Sequence, residues 1–371
     1  MNKRTDFCNV PPSIEAKIGR NLHMLPNHPI EIVKRKIYEY FKGLPGYDFT
    51  IFEDLPPYAS VEDNFDKLLI PKEHPARSRS DTYYVNEGTV LRTHTSAHQN
   101  ELLSKGHDNF LVIGDVYRKD EIDRSHYPVF HQMEGIGKVP DGVDAKDELL
   151  RILNGLIEHL FPGCEYKVRD YNFPFTDPSY EYDVMYNGEW LEVLGCGVTH
   201  QDIVDRSGKE GKYWAFGLGI DRLSMLFMKI PDIRLLWSTH PRFLDQFASG
   251  EMVEFKPYSE LPNMYKDISF WIPDEKIVDD VDEDTGEPCK KWVDENDFYE
   301  AVREVVGDNV ESVELKDEFY HKEELRWSRM YRITYSPTDP DMNDPSAFTD
   351  LCNSVQGDVI KAVAELDVEI R

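Results

Sequence analysis

The sequence predicts an α+β protein of two domains. The first is a mainly antiparallel sheet with flanking helices; the second is a ferredoxin-like unit. Three observations lead there. Short runs rich in β-branched and aromatic residues, bounded by turns, read as strands at 110–117 (FLVIGDVY), 129–136 and 190–198 (WLEVLGCGV). Amphipathic helices at 147–160 and 220–229 are inserted among them without regular strand–helix–strand alternation, which argues against a parallel sheet. After about residue 250 the pattern restarts as strand 267–272, helix 295–306, strands near 310–318 and 328–335, helix 346–366 and strand 367–371. That β-α-β-β-α-β order is the split unit of ferredoxin-like domains.

In chain order, residues 1–28 read as an N-terminal extension. Helix 29–41 opens on Pro29 and spaces Ile30, Val33, Ile37, Tyr40 and Phe41 along one face. Gly43, Pro45 and Gly46 end it. A strand follows at Phe49–Phe52, stopped by Pro56-Pro57. The catalytic part is thus bounded as 29–250, a linker as 251–258 and the ferredoxin-like domain as 259–371.

Bulk properties exclude several classes. No apolar run in the 371 residues approaches the ~20 needed for a membrane helix. MNKRTDFCNVPPS has no apolar stretch for a secretory signal and is poor in Arg and Ser for a transit peptide. The five cysteines are scattered without a C-x-x-C pair, so neither a structural metal nor a disulfide framework is expected. The net charge of −28 runs against the basic footprint of most nucleic-acid binders. Residues 261–371 hold a disproportionate share of the acid, including the run Asp279-Asp280-Val281-Asp282-Glu283-Asp284, which reads as a solvated loop.

Four segments carry chemistry. Arg118 ends a strand, Arg124-Ser125-His126-Tyr127-Pro128 forms a polar loop, and the returning strand puts Gln132 and Glu134 on one face by period-two alternation. Such a hairpin can hold a phosphate with its Arg and read a base with its loop, although an ordinary charged hairpin looks the same. In Ala215-Phe216-Gly217-Leu218-Gly219-Ile220-Asp221-Arg222, the glycines admit a flat ligand and Arg222 stands in the first helical turn. The third glycine of a dinucleotide loop is missing. In Thr93-His94-Thr95-Ser96-Ala97-His98-Gln99, the two histidines lack a third metal ligand, so Ser96 and Gln99 read better as hydrogen-bonding groups around a polar ligand. In Phe173-Pro174-Phe175-Thr176, the two rings share one face of an extended chain and can grip a third ring or simply fill a core.

Together, an Arg-bearing hairpin and a G-x-G-x-x-R helix start, after a helix–strand–Pro element, resemble the three-motif order of class II aminoacyl-tRNA synthetases. Asn64-Phe65-Asp66-Lys67-Leu68, His74-Pro75-Ala76-Arg77, Thr95-Ser96-Ala97-His98-Gln99, FPFT at 173–176 and Gly195-Cys196-Gly197-Val198 are similar to the phenylalanyl-tRNA synthetase pattern, and over 19–371 to its single-chain mitochondrial form. The resemblance implies a ligase that joins phenylalanine to tRNA(Phe) through an adenylate, with ATP and Mg²⁺, acting as a monomer. It favours an organelle, with a cytoplasmic location as the alternative. It assigns Arg118 and Arg222 to catalysis at the phosphates. The other ATP-binding residues it implies are Ser125, His126, Tyr127, Glu192, Phe216, Gly217 and Gly219. It assigns Ser96, Ala97, His98, Gln99, Gln132, Met133, Glu134, Phe173, Phe175 and Val198 to the amino acid, and Glu192 and Asp177 to a metal. The C-terminal domain should bind the anticodon, through Lys322, Arg326, Arg329 and Arg332. Since every activation motif precedes residue 223, the first domain alone is expected to carry activation.

Overall fold

Proline at the first turn, with the His28 imidazole accepting from the Ile30 amide, starts the long helix of the first domain. The structure, a computed structural model, describes residues 7–257, 261–281, 288–337, 341–342 and 344–371. A short helix α1 (Pro12–Glu15) precedes this long one, α2 (Pro29–Lys42). Residues ahead of Pro29 are no loose extension: Val10, Ile14 and Leu22 are buried in the main core.

The chain then lays down β1 (Thr50–Phe52), β2 (Tyr58–Ser60), α3 (Val61–Asn64), β3 (Tyr84–Asn86), β4 (Thr89–Leu91) and α4 (Gln99–Ser104). Next come β5 (Phe110–Tyr117), β6 (Val129–Lys138), α5 (Ala145–Leu160), β7 (Tyr166–Tyr171), β8 (Thr176–Tyr186) and β9 (Glu189–Thr199). The domain closes with α6 (Gln201–Arg206), β10 (Tyr213–Gly219), α7 (Ile220–Met228) and α8 (Pro241–Leu244). Seven strands form the central sheet in the order β1-β5-β6-β10-β9-β8-β7; only β1–β5 is parallel.

Alternation divides this sheet into two unlike faces. On one, Leu111, Ile113, Met133, Leu194, Cys196, Phe216 and Leu218 pack with the apolar stripes of α2 and α5. Each such side chain contributes about 1.5–3 kcal/mol on burial. The other face carries Gly114, Gln132, Glu134, Gly195, Gly197 and Gly217, brought side by side by the registers of β5, β6, β10 and β9. That face is the floor of a cleft.

The second domain comprises β11 (Met264–Pro273), the hairpin β12 (Ile277–Val281) and β13 (Pro288–Trp292), α9 (Glu295–Val306), β14 (Val310–His321), β15 (Arg326–Tyr335), α10 (Pro345–Ala364) and β16 (Glu369–Ile370). Its sheet order, β14-β15-β11-β16 and wholly antiparallel, is the ferredoxin-like arrangement. Of the acidic run, Asp279 and Asp280 lie in β12 and pair with Lys290 and Lys291, while Asp282, Glu283 and Asp284 fall outside the described residues. The expected cationic patch does not form. Arg329 is buried among Glu318, Glu295 and Tyr331, Arg332 pairs with Asp267, and Arg326 with Glu369.

One ion pair ties the cleft to the sheet. Arg92 and Asp115 meet at 3.0 Å with side chains only 1% and 4% exposed. Arg92 also donates to the Asp115 and Leu55 carbonyls, and its Nη1 lies 3.0 Å from His98 Nε2. A Cβ at Gly114 would stand 1.9 Å from Arg92 Nη2, so only glycine admits the guanidinium there. Asp115→Ala leaves a buried arginine without its counter-charge and is expected to cost about 3–5 kcal/mol in urea unfolding. A loss below about 1 kcal/mol would mean that the pair is not structural.

Candidate active site

The end of β5, the start of β6 and the end of β10 lie side by side, because Tyr117 pairs with Val129 and Gly219 with Gln132. Arg118, one residue past β5, and Arg222, in the first turn of the helix that follows β10, therefore belong to the segments on either side of β6 at the same end of the sheet. Arg118 Nε donates to Thr93 O at 2.7 Å, and its guanidinium lies 5.3 Å over the Phe130 ring. Both arginines are exposed, and among the described residues neither forms an ion pair. The cleft walls depress the Arg118 pKa by desolvation, yet its outer surface stays open to solvent.

Toward the middle of the face lies a buried polar nest. Thr95 N donates to Gln132 Oε1 at 3.1 Å. Burial pushes Glu134 up to about 7, and the Ser96 and Thr95 hydroxyls hold it down only in part. Among the described residues, Glu134 Oε2 and both His94 ring nitrogens are buried with no hydrogen-bond partner, and Thr95 Oγ1 lies near Glu134 without a well-formed bond to it. Burial and then the Arg118 charge push His94 down to about 3, so its ring is neutral. Buried polar atoms are nearly always paired, so these atoms are open positions for the polar groups of a ligand. Beyond the nest, Phe173 and Phe175 stack 5.4 Å apart at 14°. Gly195 makes room for them: a Cβ there would come within 2.7 Å of the Phe173 ring. The two phenylalanines sit in the turn between β7 and β8, not on an extended strand.

Several expected residues stand elsewhere. Phe216 faces the helices, stacked 5.3 Å from Phe41 and packed over Gly135; the ring at the arginine end is Phe130, of the same parity as Gln132 and Glu134. Met133 is on the core side, and Val198, paired with Trp214, also faces away from the cleft. Ala215, paired with Gly197, lies on the cleft-side face, where it joins the apolar cluster of Leu102, Val112 and Tyr213 that borders the floor; stepping by two from Gly217 would have found it. His98 is spent on Arg92, Gln99 is buried, and Ala97 joins the apolar cluster against which Phe175 packs. In sequence, His94 shows only its spacing from His98, and nothing there signals its buried place in the nest.

In the β5–β6 loop, Asp123 accepts from the Ser125 and His126 amides and from His126 Nδ1, which pushes His126 up to about 9. Tyr127 is buried, its hydroxyl on Asp308 at 2.6 Å. Glu121, Asp123 and His126 place ligand atoms within 4.8 Å of one another, but the bonds inside the loop already engage two of them. At the far side of the arginine end, Glu192 is exposed, 4.0 Å from Arg169, beside buried Glu181 and Asp183. Asp177 is exposed and lies opposite Val198, about six residues or ~20 Å along β9 from Glu192, so the two do not form one metal site.

An antiparallel sheet with an arginine hairpin and a second arginine opening the following helix is the core of a class II synthetase. Residues 13–247 match the family model of the tRNA synthetases class II core domain (F), and the chain belongs to that class. It is 47% identical to the chloroplastic/mitochondrial phenylalanine--tRNA ligase of Arabidopsis thaliana, over 98% of this chain and 82% of that one. It is 41% identical to the mitochondrial phenylalanine--tRNA ligase of Mus musculus over 89% and 79%, and 37% identical to that of Saccharomyces cerevisiae over 98% and 92%. Within its class, the chain belongs to the single-chain phenylalanine--tRNA ligases of mitochondria and chloroplasts.

Opposite placement of two rings separates their expected effects. Phe216→Ala removes a core aromatic and should cost about 3–5 kcal/mol in thermal or urea unfolding. Phe130→Ala, at the half-buried cleft ring, should leave the melting transition nearly in place. Equal losses would show that Phe130 is a core residue as well.

Proposed function

We infer that this protein is an ATP-dependent phenylalanine--tRNA ligase: it forms phenylalanyl-adenylate and pyrophosphate, then transfers phenylalanine to the 3′ end of its tRNA. The observation that carries the reading is the pair of exposed arginines that form no ion pair among the described residues, at one end of the glycine-floored face, in a chain of net charge −28. An acidic protein that leaves two guanidinium groups unpaired in a cleft is built to meet an anion there.

The substrate carboxylate is itself the nucleophile, so the reaction needs no dedicated base. What needs stabilising is negative charge spread over the α-phosphorus and the leaving pyrophosphate. Arg118 faces the α-phosphate, with its stem fixed on Thr93 O, and Arg222 faces the pyrophosphate end. Phe130 supplies the flat surface for adenine. The phenylalanine ring rests against Phe173 and Phe175, over Ala215 and Gly197. Its ammonium takes Glu134, Ser96 and Gln132, with neutral His94 as a further hydrogen-bonding group.

Hard oxygen donors fit a hard divalent cation, and Mg²⁺ carried with ATP is the proposed one. Glu192 would hold it. Its carboxylate is exposed; burial first and the Glu192 charge second raise the pKa of neighbouring Glu181, and a cation would relieve that repulsion. When bound, the ion shields the phosphate charge.

Transfer to the 2′-hydroxyl of the terminal adenosine follows. The second domain is proposed to meet the anticodon through the outer face of its sheet. There the Arg371 guanidinium lies 4.7 Å over Trp271 and 5.6 Å over Phe319, a stacking platform that needs little net positive charge. Organellar relatives support an organelle as the place of action, and the reading takes the protein as a monomer.

ATP–pyrophosphate exchange with each standard amino acid should respond to phenylalanine alone, and Arg118→Ala should lower it by about 2.7–4 kcal/mol in activation free energy. Near-normal exchange in a folded Arg118→Ala protein would remove its assigned role. Because the ammonium pairs with ionised Glu134, KM for phenylalanine should fall as pH rises through about 7. Glu134→Gln should flatten that profile. A KM independent of pH in the wild type would remove Glu134 from the ammonium site.

A further inference from the structure

The loop that joins β5 to β6, residues 118–128, is gripped by the second domain. Arg303 of α9, itself on Glu300, donates through one nitrogen to the carbonyls of Asp120 at 2.9 Å and Glu121 at 3.2 Å. Ile122 is buried in the hydrophobic core of the second domain, and its carbonyl accepts from the Val313 amide at 2.9 Å. Lys119 pairs with Asp297 at 2.6 Å, Arg124 with Glu311 at 2.7 Å, and the Tyr127 hydroxyl donates to Asp308 at 2.6 Å. The first domain holds the same stretch through Lys119 N on Asp81 O, Arg118 N on Pro128 O, Ile233 N on Arg124 O and the Tyr127 ring, which packs in its core with Trp237. Inside the loop lie the turn around Asp123 and the pairing of His126 with Glu121.

Fixing the backbone of one residue costs roughly 1–2 kcal/mol of conformational entropy. A loop that is to receive a ligand binds it more tightly when another part of the protein has already met that cost. Resting on the reading of Ser125 and His126 as nucleotide-binding residues, we propose that the second domain is a working part of the ATP site, with Arg303 and Asp308 as positioning residues for the β5–β6 loop. Neither residue touches the nucleotide. Arg303 fixes the carbonyls of Asp120 and Glu121, and through them the approach to the Asp123 turn. Asp308 fixes Tyr127, the last side chain before the chain re-enters β6. Activation is therefore not a property of residues 29–250 alone, as the order of motifs implies, but of the docked pair of domains.

The test uses the full chain. Arg303→Ala and, as the milder variant, Asp308→Asn should raise KM for ATP about tenfold in pyrophosphate exchange, as expected for a lost charge-assisted hydrogen bond. KM for phenylalanine should stay unchanged, amide hydrogen exchange should quicken in residues 119–127, and Arg303→Lys should recover part of the ATP affinity. Arg332→Ala, which breaks a pair with Asp267 away from the loop, should change neither KM. The proposal is overturned if 119–127 loosen while KM for ATP holds. It is also overturned if the two KM values rise together, which is a merely structural effect. His126→Ala separates the two readings: if it raises KM for ATP and Arg303→Ala does not, the positioning role fails alone. If His126→Ala and Ser125→Ala both leave KM for ATP unchanged, the nucleotide reading of the loop fails first.

Discussion

The substrate-facing groups hang from the buried contact between Arg92 and Asp115. Arg92 belongs to the segment that follows β4, and Asp115 to the central sheet. Their pairing draws residues 92–99 down onto β5, and the rest follows from that position. Thr93 O then lies within reach of Arg118 Nε, Thr95 N within reach of Gln132, and Ser96 beside Glu134. His98 is kept neutral, pushed down to about 4 by burial and then by Arg92, so no second positive charge intrudes. A buried pair of this kind is weak evidence for net stability, but it defines one register where an apolar contact would allow several. A cleft that must hold two arginines and a carboxylate in fixed relation needs that kind of definition.

Charge is used the same way across the molecule. Most cations of this acidic chain are engaged: Arg329 by Glu318 and Glu295, Arg169 by Glu181 and Asp183, Arg234 by Asp232. Long-range attraction for a polyanion is therefore poor, and nonspecific RNA is repelled. Under the proposed function, recognition would come from short-range geometry: stacking on aromatic rings at the outer sheet face of the second domain, and single arginines at the end of the cleft.

How legible this was depended on the physics of each element. β5, β6 and β9 announced themselves because they are short runs rich in apolar residues and bounded by turns, β5 being buried along its whole length. β7 and β8 were missed: β7 is almost wholly exposed, and β8 places Glu181 and Asp183 at inner positions, so apolar alternation never develops. The positions of Arg118 and Arg222 just past the ends of strands could be read because turn and glycine signals mark those ends. The error over Phe216 was one of parity: aromatic residues occur on both faces of a sheet, and only counting in twos from Gln132 separates Phe130 from the core ring. Arg329 looked like an RNA contact because sequence shows charge but not burial. The grip of the second domain on residues 119–127 was invisible, since it depends on partners about 180 residues away in the chain.

Strand order has one more consequence, for how the chain comes into being. β5 with β6 is a hairpin, and β7, β8 and β9 form a meander; each can assemble from local sequence. The strand that joins them, β10, is the last of the central sheet to leave the ribosome, and it inserts in the middle, not at an edge. Until residues 213–219 emerge, a nascent chain displays two unpaired strand edges, those of β6 and β9, facing each other across a gap. Such edges are templates for wrong partners, so the interval before β10 arrives is when the polypeptide is most exposed to aggregation and most in need of a chaperone. The same late strand carries Ala215 and Gly217, so closing the sheet and completing the floor of the cleft are one event in synthesis.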